Sequence, residues 1–114
     1  MQEGTVELSD DLRRQIRESL EPLHPEKVIV FGSYAHGEAG PDSDIDLIVV
    51  LDSDTMPTTY HDRARNRLLV RRALDALNRD YALDVLVYTL PEWNRFQDAG
   101  SAFAKEIASG EVEV

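Results

Sequence analysis

Apolar positions along this chain change their spacing several times, and each spacing predicts an element. Leu12, Ile16 and Leu20 recur every four residues behind Ser9-Asp10-Asp11, one face of a helix started by a short polar cap and ended by Pro22 and Pro25. Val28-Ile29-Val30-Phe31 is a short apolar run, which predicts a buried strand over residues 27–31. After Gly32-Ser33, residues 33–38 are expected to turn into a short helix, and Gly40-Pro41-Asp42-Ser43 reads as a loop. A second strand over 45–51 and a polar loop over 52–59 follow. Residues 60–78 predict a long helix with Ala64, Leu68, Leu74 and Leu77 facing inward. A third strand is expected over 83–88, where Leu83, Val85 and Val87 face one way and Asp84, Leu86 and Tyr88 the other. Pro91 opens a helix over 92–99, and residues 101–109 form another, closed by Gly110. The order is α/β (α+β): a small mixed sheet flanked by helices, in one domain spanning residues 1–114, without repeats or linkers.

Two places in this pattern carry chemistry. Gly32-Ser33 interrupts an apolar strand with a residue that lets backbone approach a ligand closely, and the amides of the following helix start, with the Ser33 hydroxyl, suit a phosphate. Asp44 and Asp46 lie two apart at the head of the next strand. That spacing projects both carboxylates to one face, about 7 Å apart along the backbone, where they can converge on hard cations. Each fragment has an ordinary reading too, since Asp-x-Asp is common in solvated turns. The combination changes this. A carboxylate beside Leu47-Ile48-Val49-Val50 is costly to bury unless something neutralises it, and a divalent metal does so.

Gly32-Ser33, ten residues, then Asp44-Ile45-Asp46 resembles the signature of the minimal nucleotidyltransferases of the DNA polymerase beta-like superfamily, and the chain looks like the MNT-domain antitoxins of HEPN/MNT pairs. The resemblance covers most of residues 9–110. It implies a minimal polymerase beta-like fold, ATP as substrate and magnesium, two ions, as cofactor. Asp44 and Asp46 would bind metal and act in catalysis, and Gly32 and Ser33 would bind nucleotide. The family's third carboxylate matches Asp84 more loosely, with Asp80 as the alternative. Relatives commonly carry Arg where this chain has His36, a departure that bears on how phosphate charge is met. The mechanism implied is in-line attack of a hydroxyl on the α-phosphate, and the implied partner is a HEPN-domain toxin that receives AMP on a tyrosine. A non-catalytic nucleotide-binding module that neutralises its partner by occlusion is the competing expectation.

Charge and composition narrow the partners. The chain has 114 residues, with Lys plus Arg 12 against Asp plus Glu 22, a formal charge of -10 that disfavours general nucleic-acid binding. There are no cysteines, so disulfide frameworks and zinc-thiolate sites are excluded. No apolar run reaches the ~20 residues of a membrane span, and the acidic start Met1-Gln2-Glu3 lacks a signal peptide's positive region; a cytoplasmic location is expected. Arg63, Arg65, Arg67, Arg71 and Arg72 form a local positive face, read first as solvated and second as a contact for phosphates or an acidic partner. His24, His36 and His61 show no metal-ligand spacing, and Trp93, Phe96 and Phe103 are expected to pack the terminal helices onto the sheet.

Overall fold

A computed structural model describes residues 8–40, 42–110 and 112–114. Helix α1 (Asp10–Leu20) starts where the Ser9 hydroxyl accepts from the Leu12 amide, and its buried stripe is Leu12, Ile16 and Leu20. A 3-10 turn containing Pro22 carries the chain to His24, whose left-handed backbone (φ 48°) redirects it into strand β1 (Lys27–Phe31). Then come α2 (Ser33–His36), β2 (Ile45–Leu51), α3 (Tyr60–Ala73), α4 (Asp75–Asn78), β3 (Leu83–Thr89), α5 (Leu90–Asp98), α6 (Ala102–Gly110) and β4 (Val112–Glu113).

The strands form one mixed sheet in the order β3-β2-β1-β4. β1 pairs antiparallel with both β2 and β4, while β2 and β3 run parallel. β2 is central, and all its residues but Asp46 are buried. Such a strand reads as an unbroken apolar run because helices cover both faces. On one face Val28, Val30, Leu47, Val49 and Leu51 pack with Leu12, Ile16 and Leu20 of α1 and with Val70, Leu74 and Leu77. On the other, Ile29, Ile48 and Val50 pack with Trp93 of α5 and Ile107 of α6. A fully buried aliphatic side chain contributes roughly 1.5–3 kcal/mol, so these two layers are the main stabilising term.

Helix α5 starts where the Glu92 carboxylate accepts from both the amide and the hydroxyl of Thr89, at 3.0 and 3.3 Å. The three expected aromatics do pack here: Phe96 lies 5.5 Å from Trp93 and 5.7 Å from Phe103, and Phe103 meets Phe31 edge-on at 5.6 Å.

Two expectations are corrected and one element is new. The helix foreseen over 60–78 flattens at Leu74 (ψ 2°), although Leu74 still donates to Val70 and Asn78 to Leu74. Leu68 is not inward. The buried side of this helix is fixed by Val70, Leu74 and Leu77, and a residue two positions before Val70 lies more than half a turn away round the axis, which leaves Leu68 47% exposed. Finally, β4 had no counterpart in the spacing, since two residues are too few to set a period.

Candidate active site

The turn after β1 is built around Gly32. Its backbone (φ 71°, ψ -150°) lies in a region that essentially only glycine occupies, and a Cβ there would fall 2.2 Å from Oδ2 of Asp46. Sheet register is the cause: Phe31 is paired with Asp46, so the turn leaving β1 passes directly over that carboxylate. α2 follows, closed by the left-handed Gly37. The Ser33 hydroxyl has no hydrogen-bond partner among the described residues, and the first amides of α2 have no acceptor within the helix.

The Asp44 side of the site is set by a second turn. The Ser43 hydroxyl accepts from the Gly40 amide at 2.9 Å, and the Ser43 amide donates to the Gly40 carbonyl at 3.1 Å. Ile45 then donates to the carbonyl of Ala82 at 2.9 Å, which locks the head of β2 against the head of β3. In that register Asp46 is the direct partner of Asp84. Neighbouring strands in a sheet lie about 4.8 Å apart and paired residues share a face, so Asp46 and Asp84 project side by side. Asp80, the alternative third carboxylate, is exposed in the turn after α4, its amide donating to Leu77.

Asp44 and Asp84 are exposed and Asp46 is half-buried. Burial pushes the Asp46 carboxyl above its ordinary proton affinity, and the negative charges of Asp84 and Asp44 push it further. No Lys, Arg or His forms an ion pair with any of the three among the described residues. A hard divalent cation fits this donor set, because it supplies the positive charge that the protein withholds. As they stand, no three acidic or histidine side chains are gathered tightly enough to hold an ion among the described residues. Holding one requires the exposed Asp44 and Asp84 to turn onto it, a rotamer change open to surface side chains.

Asp46 and Asp84 share the alternation of Ile48, Val50 and Leu86 and so project to the face that α5 and α6 cover, while α3 and α4 pack on the other face. A cleft of about 310 Å³ runs beside Asp84 between the sheet edge and the helices, lined by Arg71, Asp75 and Asn78. Their i, i+4, i+7 spacing on a helix was the available signal for this cleft, obscured by the other arginines around Arg71. His36 is exposed at the end of α2. A cleft of about 370 Å³ lined by His24 and Lys27 lies at the opposite end of β1 from Gly32.

A glycine-serine turn laid over one of two paired, carboxylate-bearing strands sets amides and a hydroxyl that could meet phosphate beside carboxylates that could meet a cation, an arrangement that suits nucleotide handling. The comparison with known families agrees, since a family model described as Nucleotidyltransferase domain matches residues 13–111, and the chain belongs to that family. Membership brings nucleotidyl transfer as the general function, with a nucleoside triphosphate as substrate. Comparison with curated proteins gave no match. Among the described residues, no helix is long and apolar enough to cross a membrane.

Proposed function

We propose that the protein transfers AMP from ATP to a hydroxyl of another protein, a tyrosine of a HEPN-domain toxin, and thereby acts as its antitoxin. The observation that carries the reading is the position of Asp84. It stands exposed on the edge strand β3, beside the half-buried Asp46, so an acceptor can reach it from outside the molecule. The helices, meanwhile, are committed to the two faces of the sheet.

Asp44, Asp46 and Asp84 would hold magnesium, which when bound offsets the charge of the triphosphate and of the reacting oxygens. The Gly32-Ser33 turn receives the β- and γ-phosphates on its amides and the Ser33 hydroxyl. The acceptor oxygen approaches from the Asp84 side and forms a bond to the α-phosphorus, while the bond from that phosphorus to the pyrophosphate bridging oxygen breaks. Asp84, where it is not itself a cation ligand, takes the proton of the hydroxyl.

The test is incubation of the chain with ATP, magnesium and the purified HEPN-domain protein of the same cell, followed by intact-mass spectrometry and a ribonuclease assay. One or more added AMP groups and a loss of nuclease activity are expected. Neutralisation that persists in an Asp44→Asn, Asp46→Asn variant, with no change of mass, would mean that occlusion and not transfer silences the partner.

A further inference from the structure

We infer that Phe103 is the stacking platform for the base of the nucleoside triphosphate, and that the site in consequence favours purine over pyrimidine nucleotides by ring area. This rests on the reading above, in which the phosphates lie between the Gly32-Ser33 turn and the carboxylates, and adds where the base goes.

Register sets the geometry. Phe31 is the partner of Asp46, and Asp46 of Asp84. Paired residues share a face with their Cβ atoms about 4.5–5.5 Å apart, so the three side chains form one row across the sheet, an aromatic ring at one end and two carboxylates at the other. Phe31 is also the last residue before Gly32, which puts the ring beside the phosphate turn. Phe103 of α6 extends the row: its ring centroid lies 5.6 Å from that of Phe31, with the planes 73° apart. One side chain thus separates Phe103 from Asp46, a distance on the order of 10 Å, which a nucleoside bridges from its α-phosphate to its base.

Exposure sets Phe103 apart. It is 37% exposed although two rings hold it, Phe31 and, at 5.7 Å and 70°, Phe96. The other large hydrophobic side chains as open among the described residues, Tyr60, Leu68 and Leu69, belong to α3, which packs on the opposite face. On the face of Asp46 and Asp84, Phe103 is therefore the one large apolar side chain left open among the described residues. A ring already fixed by its neighbours loses little freedom when a ligand stacks on it, and every base has a π-face to offer. Phe31, Phe96 and Phe103 have no side-chain hydrogen-bonding group, so the platform reads area: a purine lays two fused rings on it and a pyrimidine one.

Calorimetric titration of Mg-ATP, Mg-CTP and Mg-tripolyphosphate into wild type, Phe103→Leu and Phe103→Tyr tests this, at a temperature where circular dichroism shows all three folded. Wild type should bind Mg-ATP more tightly than Mg-CTP. Phe103→Leu keeps an apolar side chain but loses the ring; it should weaken Mg-ATP about fivefold or more, narrow the gap between the two nucleotides and leave Mg-tripolyphosphate unchanged. Phe103→Tyr, which keeps the ring, should bind as wild type does. Equal Mg-ATP binding by wild type and Phe103→Leu overturns the platform and leaves the phosphate and metal reading standing. So does an equal loss for Mg-tripolyphosphate, which marks a structural role, or a Phe103→Tyr as weak as Phe103→Leu. Unchanged Mg-ATP binding with a loss of affinity for the HEPN-domain protein assigns the ring to the acceptor and overturns the platform too. A wild type that binds neither Mg-ATP nor Mg-tripolyphosphate overturns the platform and the site together.

Discussion

Replacing Gly32 with alanine strikes the turn and the carboxylate beneath it together. Backbone strain at φ 71°, ψ -150° costs a residue with a Cβ about 1–3 kcal/mol. The new methyl would stand 2.2 Å from Asp46 Oδ2 and 3.2 Å from its Cγ, well inside contact distance, so the Asp46 side chain must leave its rotamer. That adds about 0.5–1.5 kcal/mol. A total of about 1.5–4.5 kcal/mol corresponds to a fall in Tm of roughly 6–18 °C at about 4 °C per kcal/mol. Transfer activity at a temperature where the variant is folded should fall at least about a hundredfold, the usual consequence of moving a reacting group by an ångström. Melting Gly32→Ala alone and with Asp46→Ala separates the two causes, because the second substitution removes the collision and leaves the backbone strain. The cost of Gly32→Ala should be smaller by at least about 0.5 kcal/mol in the Asp46→Ala background. An equal cost in both backgrounds would refute the close approach of Gly32 to Asp46.

Three further outcomes are expected. The folded state raises the proton affinity of Asp46, so it binds more protons than the unfolded chain between the two pKa values; metal-free stability should decline as pH rises from the ordinary carboxylate range through the folded pKa. Chemical denaturation across mildly acidic pH should show that decline in wild type, a flatter profile in Asp46→Asn, and a gain on adding magnesium to wild type alone. Asp84→Asn, at an exposed position, should leave the melting temperature within a degree or two while abolishing AMP transfer, and retention of activity would remove Asp84 from the site. Trp93→Ala, which empties a buried place in the second core layer, should cost about 3–5 kcal/mol by urea unfolding. Phe103→Ala, 37% exposed with ring contacts to Phe31 and Phe96, should cost less, about 1–2 kcal/mol.

The local elements were legible because their signals are local. Apolar runs, the Ser9 cap and the prolines placed β1 and β2 to the residue and α1, β3, α5 and α6 to within one or two. The Gly-Ser turn and the Asp-x-Asp pair were legible for the same reason, since a turn that only glycine can make and a period of two are both written over a few residues. What periodicity could not convey was which residues lie opposite one another. That Asp46 faces Asp84, and that Gly32 must have no side chain because Asp46 occupies the space, are properties of strand register, decided by how β1, β2 and β3 share one buried face pair. The inward side of α3 was likewise settled by packing. Leu68 and Val70 are both apolar, but only one direction from the helix axis leads to the sheet, and it is Val70, Leu74 and Leu77 that lie along it.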